Sequence, residues 1–184
     1  MFGADIFFGA TKALSAKLPP SILQIVKGQL YPESIPEGEA APQFHLEDQN
    51  GRSHVLEQEW TLIVFYPGDD TPGCSAQLAD VEAHREEFAK YGCKVMAINS
   101  AGATSHAEFA KRLGLGFPLL IDTGNAVARQ YRAVAEIAGN VIPIRTIFLI
   151  NPAHKIRLAN RGTPSLKAIL RSIHALQTAS RTGM

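Results

Sequence analysis

A short run of β-branched and aromatic residues, 61–66 (TLIVFY), constrains the fold of this chain more than any other segment. Pro67 and Gly68 close the run, so it has the length and the ending that are typical of a β-strand. Because the run is almost continuously apolar, the strand is expected to be buried on both faces of a sheet. A strand of this kind needs packing partners on both sides, which favours an α/β fold with this strand at its centre.

Segments with strand and helix patterns alternate along the chain from Phe44 onwards. The predicted strands are 44–47 and 53–56, which form a hairpin, and then 61–66, 94–99, 117–121, 146–151 and 154–160. The predicted helices are 75–91, 105–113, 125–131 and 165–178. Ser105 is the expected cap of the second helix, with Glu108 at the capping-box offset, and Gly114 is expected to end it.

This alternation predicts the architecture. Single helices between strands imply right-handed crossovers and a mainly parallel central sheet, and a hairpin at each end makes the sheet mixed. The expected fold is therefore a three-layer α/β domain.

The chain of 184 residues is long enough for one domain and an appended segment. Residues 1–36 differ from the rest in their pattern of apolar residues and form the predicted N-terminal helical extension. Residues 37–184 form the predicted domain. Apolar residues at three- to four-residue spacing, beginning at Phe2, predict an amphipathic helix that stops at Pro19. Two roles stay open for residues 1–30: packing on this domain or on a second subunit, and anchoring at a membrane surface. The expected oligomeric state is a monomer or a homodimer.

The charge balance and the apolar runs exclude several classes of protein. Eighteen Lys and Arg side chains against 17 Asp and Glu side chains give a net charge of +1, so no nucleic-acid partner is expected. No apolar run approaches the ~18 residues of a membrane-spanning helix, and Asp5 stands where a secretory signal carries basic residues. The expected location is the cytoplasm. The six histidines are scattered without zinc-ligand spacing, so we expect them at the surface or in local hydrogen bonds, and we expect no metal or other cofactor.

The loop that follows the run 61–66 carries the sequence YPGDDTPGC at residues 66–74. Open α/β sheets bind ligands at the carboxyl ends of their strands, which is where this loop must lie. Cys74 falls in the first turn of the next helix, where unsatisfied N–H groups and the positive end of the helix dipole favour a thiolate. Position alone leaves two interpretations open, a reactive cysteine and a small buried cysteine that only packs. Asp69 and Asp70 are expected to cap the loop before the helix rather than to bind a metal.

Residues near Cys74 favour the reactive interpretation. The Thr71 hydroxyl, three residues earlier, can turn toward the sulfur or toward a substrate oxygen. Pro67 and Pro72 restrict the loop and the access of water. Arg145 stands at the head of a predicted strand, from which we expect it to bring a fixed cation to the thiolate. The pattern predicts an activated thiol that is flanked by a hydroxyl and a guanidinium group.

Pro67, Thr71 and Cys74 match the PxxxTxxC signature of the peroxiredoxins, and the residues around them resemble the subgroup called bacterioferritin comigratory protein or peroxiredoxin Q. The resemblance extends from about residue 37 to 172, with similar segments at 41–44 (APQF), 105–106 (SH), 117–120 (FPLL) and 145–150 (RTIFLI). It implies a thioredoxin-like fold. It also implies a thiol-dependent peroxidase that reduces hydrogen peroxide or organic hydroperoxides.

The resemblance further implies a role for each residue of the signature. Cys74 is expected to be the peroxidatic cysteine, Thr71 the hydroxyl that orients the peroxide, Pro67 the shielding proline and Arg145 the catalytic arginine. Attack of the thiolate on one peroxide oxygen leaves negative charge on the departing oxygen, which the site must stabilise. The candidate substrate-binding donors are Thr71, Arg145 and the backbone N–H groups of Gly73 and Cys74. The product is a sulfenic acid on Cys74, which a second thiol must reduce.

Two positions near Cys74 depart from the pattern of the subgroup. Many members carry a resolving cysteine five residues after the first, where this chain has Ala79, and Gln77 stands where glutamate is common. The second cysteine, Cys93, follows a predicted helix of roughly 25 Å, whereas a disulfide needs Cα atoms within about 7 Å. A one-cysteine mechanism is therefore predicted, in which an external thiol such as glutathione, a glutaredoxin or thioredoxin reduces the sulfenic acid. Cys93 is expected to be structural.

Two other functions are compatible with a fold of this class. A thioredoxin-like disulfide reductase needs a CxxC motif, and this chain has Thr71 where the second thiol would stand. A non-catalytic binding or chaperone-like protein would keep the same fold with an inert Cys74, so this alternative stays open. The reactivity of the Cys74 thiol toward peroxide distinguishes the enzyme from the binding protein.

Overall fold

The computed structural model describes residues 33–137 and 140–182, so the amphipathic helix predicted for the N-terminal extension lies outside the described residues. The described strands are β1 (His45–Glu47), β2 (Ser53–Val55), β3 (Trp60–Phe65), β4 (Cys93–Asn99), β5 (Leu119–Ile121), β6 (Val134–Ile137), β7 (Asn140–Pro143), β8 (Thr146–Ile150) and β9 (Ile156–Arg161). The described helices are α1 (Pro72–Ala83), α2 (Arg85–Lys90), α3 (Ala103–Leu113), α4 (Ala126–Gln130) and α5 (Leu166–Thr182). None of these helices has both the length and the apolar character needed to cross a bilayer.

Five of these strands form the central sheet, in the order β5-β4-β3-β8-β9. The pairs β3–β4 and β4–β5 are parallel, whereas β3–β8 and β8–β9 are antiparallel. The predicted mixed sheet is confirmed: β3, β4, β5 and β9 run in one direction and β8 runs in the opposite one, so two of the four strand pairings are parallel. The predicted N-terminal hairpin exists as β1 and β2, yet it forms a sheet of its own and touches β5 through the isolated bridge between Asp48 and Leu120.

The orientation of β8 follows from the segment that precedes it. Thr146, the first residue of β8, pairs with Phe65, the last residue of β3, so the chain starts β8 at the end of the sheet where β3 finishes. Helix α4 in this segment has 5 residues, or roughly 7.5 Å, which is too short to carry the chain back along the sheet as a parallel crossover requires. A hairpin that the sequence did not predict, β6–β7, occupies the rest of the segment. As a result, β8 starts beside the loop that follows β3.

The central strands separate two hydrophobic cores. Both β3 and β8 are buried almost throughout, as the apolar run 61–66 predicts for β3. On one face of the sheet, Leu62 and Val64 pack with residues of α1, α2, α3 and α5. On the other face, Ile63 and Phe65 pack with residues of α4 and of the segments before β3. The predicted three-layer α/β architecture is therefore confirmed.

The single helix predicted at 75–91 is two helices in the structure. Helix α1 begins at Pro72, earlier than predicted, and α2 follows a break at His84 (φ −105°, ψ 1°). The His84 N–H donates to the Val81 carbonyl at 3.2 Å, and the His84 ring nitrogen Nδ1 lies 2.9 Å from the Asp80 carbonyl oxygen. The ring thus occupies the acceptor that the helix would use at this point, and polar side chains that compete in this way interrupt helices. The early start of α1 places the candidate cysteine inside its first turn.

The start of α3 differs from the prediction as well. Helix α3 begins at Ala103 with Gly102 at the cap position, so the expectation that Ser105 caps it is wrong. The Ser105 hydroxyl instead donates to Asp69, in the loop after β3, at 2.5 Å. Gly114 ends α3 with φ 64°, as predicted, because glycine adopts this left-handed conformation without a Cβ clash.

Candidate active site

Cys74 occupies the third position of α1 and is fully buried. Thr71 caps the helix in an extended conformation, and Pro72 follows at the first helical position, where its missing N–H costs nothing. The Cys74 N–H donates to Thr71 Oγ1 at 3.3 Å. The first intrahelical hydrogen bond runs from the Ser75 N–H to the Thr71 carbonyl, so the Gly73 N–H precedes it and has no acceptor within the helix. The sulfur therefore lies at a helix N-terminus, where negative charge is stabilised.

Arg145 directly precedes β8 and brings a cation to this cysteine. Its Nη2 donates toward Cys74 Sγ at 3.4 Å. The proximity follows from the antiparallel pairing of β8 with β3, because Phe65 faces Thr146 and the residue before β8 must then lie near the loop after β3. A parallel β8 would have placed Arg145 at the opposite end of the sheet. The guanidinium and the helix N-terminus therefore both direct positive charge, full or partial, toward the sulfur.

Gly73 leaves the space that the Arg145 guanidinium occupies. A Cβ atom on Gly73 would lie 2.5 Å from Nη2 and 3.2 Å from Cζ of Arg145. Thr71, Gly73, Cys74 and Arg145, which the sequence predicts as site residues, are therefore brought together at one end of α1. Pro67 is half-buried and lies in the same loop, shortly after the end of β3.

Substitution of Gly73 by alanine separates the effect of the guanidinium from that of the fold. We expect Gly73→Ala to change the free energy of unfolding by less than about 1 kcal/mol, because only the flexible end of Arg145 must move and alanine favours the helix. The rate at which peroxide oxidises Cys74 is expected to fall at least about tenfold, because the displaced guanidinium no longer faces the sulfur. Stopped-flow oxidation and urea unfolding measure the two effects.

Gly68→Ala is the matched control, because a Cβ atom at Gly68, in the same loop, would meet no atom within 4 Å. This variant is expected to react at the wild-type rate. A wild-type rate in Gly73→Ala as well would show that the position of Arg145 does not matter for the oxidation of Cys74.

A buried polar cluster that the sequence did not predict is centred on Asp69. Its carboxylate accepts hydrogen bonds from Tyr66 Oη at 2.9 Å, Asn99 Nδ2 at 3.0 Å and Ser105 Oγ at 2.5 Å, and His106 Nδ1 lies 2.9 Å from Oδ2. The Asp69 side chain is 4% exposed and that of His106 is fully buried. The cluster therefore connects the loop between β3 and α1 to the end of β4 and to α3.

The electrostatics of this cluster keep Asp69 ionised. Burial acts to raise the pKa of the Asp69 carboxyl, but hydrogen bonds with His106 and Ser105 outweigh burial and hold the pKa below its usual value. Burial, together with the neighbouring Asp69 carboxylate, raises the pKa of Tyr66 well above its ordinary value. At neutral pH, Tyr66 is therefore a neutral donor and Asp69 a charged acceptor.

The expectation that Asp69 and Asp70 cap the loop is wrong. Thr71 supplies the cap of α1, Asp69 is the acceptor of the buried cluster, and Asp70 forms an ion pair with Arg112. Threonine followed by proline is itself a helix-start signal, so the cap could have been found in the sequence.

His106 also departs from the expectation for the histidines, because it is fully buried rather than at the surface. No local pattern could have predicted its contact with Asp69. The three partners from β4 and α3 are separated from Asp69 by 30 to 37 residues of sequence, so only the folded sheet brings them together.

Removal of the Asp69 carboxylate is expected to destabilise the fold. Asp69→Ala leaves the buried donors of the cluster without their acceptor, and we expect a loss of about 3–5 kcal/mol in the free energy of unfolding. Asp69→Asn keeps the shape of the side chain but removes the charge. The free energy of unfolding that this variant loses relative to wild type therefore depends on pH. Because the pKa of Asp69 is lowered in the folded state, its ionic contribution is present above the unfolded pKa of about 3.9 and is lost as the pH falls through the folded pKa.

Urea unfolding between pH 3 and 8 measures these effects. The difference in the free energy of unfolding between wild type and Asp69→Asn should be constant near neutral pH and should become smaller in acid. Asp80→Asn is the control, since the Asp80 side chain is 58% exposed, and it is expected to stay within about 0.5 kcal/mol of wild type. A difference for Asp69→Asn that does not change with pH would contradict the assignment of Asp69 as the ionised acceptor.

Cys93 lies far from Cys74. It is the first residue of β4 and pairs with Trp60 at the start of β3, whereas Cys74 follows the far end of β3. The length of β3 separates these ends by roughly 17 Å, well beyond the about 7 Å that a disulfide allows between Cα atoms. The sequence-based argument from one long helix does not apply, because that helix is broken, but the strand geometry leads to the same separation. Burial, with a smaller contribution from Glu59, raises the pKa of the Cys93 thiol to about 12.

The sequence is similar to those of known proteins. Residues 38–159 match the family model described as the AhpC/TSA family. The chain is 32% identical over 155 residues to the chloroplastic peroxiredoxin Q of Arabidopsis thaliana, an alignment that covers 83% of this chain and 71% of that protein.

Solved structures give the same picture. The crystal structure of peroxidoxin BcpB from Mycobacterium tuberculosis is 26% identical, with a TM-score of 0.70 over 76% of this chain and 96% of that chain. A mitochondrial 1-Cys peroxiredoxin from yeast is 25% identical, with a TM-score of 0.72 over 81% of this chain and 79% of that chain. The thioredoxin-like fold that the sequence predicts is therefore confirmed.

Proposed function

The chain belongs to the AhpC/TSA family and is a thiol-dependent peroxidase, and we propose that it completes its cycle with Cys74 alone and an external thiol. The observation that carries the site assignment is the Cys74 sulfur at the N-terminus of α1, 3.4 Å from Arg145 Nη2. A helix N-terminus and a guanidinium at hydrogen-bond distance are the two features that activate a thiol as a nucleophile. A cysteine that only packs needs neither of them, which argues against the non-catalytic alternative.

The first half of the cycle reduces the peroxide. The Cys74 thiolate attacks one peroxide oxygen, a sulfur–oxygen bond forms as the oxygen–oxygen bond breaks, and the electron pair leaves on the other oxygen. That oxygen takes a proton and departs as water or as an alcohol, so the peroxide gains two electrons and the sulfur loses two. Arg145, whose Nη2 lies 3.4 Å from the sulfur, and the Gly73 N–H are proposed to stabilise the charge on the departing oxygen, and the Thr71 hydroxyl can donate its proton while its oxygen caps the helix.

The second half of the cycle returns the sulfenic acid to the thiol. One external thiol attacks the Cys74 sulfur, releases water and forms a mixed disulfide. A second thiol then releases the Cys74 thiol and leaves a disulfide of the reductant. These two steps need no other cysteine of the chain.

The positions of the other residues support this one-cysteine cycle. Ala79, on the exposed face of α1, occupies the place of a local resolving cysteine and cannot form a disulfide. Cys93 lies in β4 beside the start of β3, at the opposite end of the strand from Cys74, and its raised pKa leaves it protonated at neutral pH, whereas the thiolate is the attacking species.

A thiol of the glutathione, glutaredoxin or thioredoxin class is proposed as the reductant. The yeast mitochondrial 1-Cys peroxiredoxin that resembles this chain is described as resolving its thiol through the glutathione and thioredoxin systems. Because this chain lacks a local resolving cysteine, it needs a reductant of the same chemical class.

The spacing of apolar residues near the N-terminus supports a role for residues 1–30 outside catalysis, in contact with this domain, a second copy of the chain or a membrane surface. Contact with a second copy requires a homodimer, whereas the other two roles are compatible with a monomer or a homodimer.

Substitution of Cys93 by alanine tests the one-cysteine cycle. We expect Cys93→Ala to keep peroxide turnover within about twofold of wild type, because Cys93 takes no part in the reaction, and to lose about 1 kcal/mol of stability from the buried thiol. Turnover is measured with hydrogen peroxide as the oxidant and with glutathione or thioredoxin as the reductant. If the variant forms the sulfenic acid at the normal rate but loses turnover with every thiol, Cys93 resolves the sulfenic acid and the proposal is wrong.

A further inference from the structure

Gln77 is a buried polar residue that has no role in the steps of the catalytic cycle. Its side chain is part of the inner face of α1, and the residue is 6% exposed. Neither Oε1 nor Nε2 has a hydrogen-bond partner among residues 33–137 and 140–182. Folded proteins rarely leave a buried amide unpaired, because both polar atoms have lost their water without replacement. An unpaired amide in this position therefore calls for a ligand that is absent in the thiol state.

The helix places this amide next to the reacting sulfur. Cys74 and Gln77 are three residues apart on α1 and are both buried, so they share one face, with Cβ atoms about 5–6 Å apart. Side chains on a helix lean toward its N-terminus, which directs the long Gln77 side chain toward the turn that holds Cys74. The guanidinium of Arg145 approaches the same sulfur from β8. An oxygen atom added to Cys74 thus has Arg145 to one side and the Gln77 amide on the inner face of the helix.

We propose that the Gln77 amide binds the oxygen that Cys74 gains on oxidation and so protects the sulfenic acid from a second oxidation. This inference rests on the proposed function, since it requires that peroxide forms a sulfenic acid on Cys74. In that state Nε2–H donates to the sulfenic oxygen and Oε1 accepts the S–O–H proton. Both polar atoms of the amide are then paired. The hydrogen-bonding groups that are unsatisfied in the thiol state are thus satisfied once the sulfenic acid forms.

The protection has a chemical cause. Over-oxidation requires the sulfenic sulfur to attack a second peroxide, which forms a second sulfur–oxygen bond, breaks the oxygen–oxygen bond and releases water or an alcohol, leaving a sulfinic acid. A hydrogen bond donated to the sulfenic oxygen withdraws electron density from the sulfur and weakens it as a nucleophile. Such protection matters in this chain because the sulfenic acid must wait for an external thiol.

Gln77→Met tests the role of the amide, since methionine keeps the length of the side chain and removes both polar atoms. We expect the rate of sulfinic acid formation to rise about three- to tenfold, as the loss of one hydrogen bond predicts. The first oxidation should change less than about twofold, because Arg145 and the helix N-terminus are unaltered. Mass spectrometry of Cys74 after increasing equivalents of hydrogen peroxide, with dimedone to trap the sulfenic acid, follows both steps.

Leu78→Met is the matched control, because Leu78 is the next buried residue on α1 and has no polar atom to lose. It is expected to over-oxidise at the wild-type rate. If Gln77→Met forms the sulfinic acid as slowly as wild type, or if Leu78→Met accelerates it equally, the inference is wrong.

A second measurement on the wild-type protein does not depend on a variant that folds. The side-chain amide resonances of Gln77, followed by nitrogen-15 NMR, should shift when one equivalent of hydrogen peroxide converts Cys74 to the sulfenic acid. Resonances that stay in place while Cys74 is oxidised overturn the inference and leave the peroxidase function intact. A Cys74 that is not oxidised at all overturns both.

Discussion

Substitution of Cys74 by serine is expected to reduce peroxide consumption by roughly 10³-fold or more. The serine hydroxyl fills nearly the same buried volume, but an alcohol is not ionised by a helix N-terminus and a guanidinium at neutral pH, so the nucleophile is lost. Consumption of hydrogen peroxide in the presence of glutathione or thioredoxin measures the effect. Urea unfolding of the same sample should give a free energy within about 1 kcal/mol of wild type.

The matched control is Cys93→Ser, which removes the other buried thiol and should retain turnover. If Cys74→Ser still consumes peroxide at a rate near that of wild type, the reaction does not proceed through this sulfur.

Substitution of Arg145 by methionine is expected to cause the second largest loss of activity. The guanidinium lies 3.4 Å from the Cys74 sulfur and supplies the cation that faces both the thiolate and the departing oxygen. We expect Arg145→Met to lower the rate constant for oxidation of Cys74 by roughly 10²-fold, as the removal of one charge-stabilising donor does in other active sites. Arg145→Lys should recover part of this loss, because it restores the charge but not the planar fork of donors.

Arg129→Met is the control for a loss of positive charge, because Arg129 is exposed and pairs with Glu136 at the surface. Peroxide should oxidise Cys74 of this variant at the wild-type rate. Equal rates for wild type and Arg145→Met would mean that the contact seen in the structure does not activate the thiol.

The central strand and the layered architecture could be predicted because their cause is local. The apolar run 61–66 specifies a strand buried on both faces, and α3 and α5, which pack against the sheet, carry their own apolar periodicity. The direction of β8 could not be predicted in the same way. It depends on the short α4 and on the hairpin β6–β7, which keep the chain at one end of the sheet. The expected nearness of Arg145 to Cys74 was right, but its cause is the antiparallel strand that the sequence did not indicate.

The residues of the candidate site also differ in whether a local pattern of the sequence could predict them. Thr71 and Cys74 were predictable because a helix N-terminus and its cap are specified by neighbouring residues. The cluster around Asp69 was missed because a carboxylate in a loop resembles a cap until α3 brings His106 to it. The unpaired state of Gln77 could not be read from the sequence either, since it depends on which residues surround α1 after folding.

Mass spectrometry after one equivalent of hydrogen peroxide tests the one-cysteine cycle most directly. Without a thiol, the protein should carry a single added oxygen on Cys74 that dimedone traps, while Cys93 stays reduced. After glutathione is added, Cys74 should pass through a mixed disulfide and return to the thiol. A disulfide between Cys74 and Cys93, within one chain or between two, would contradict the account.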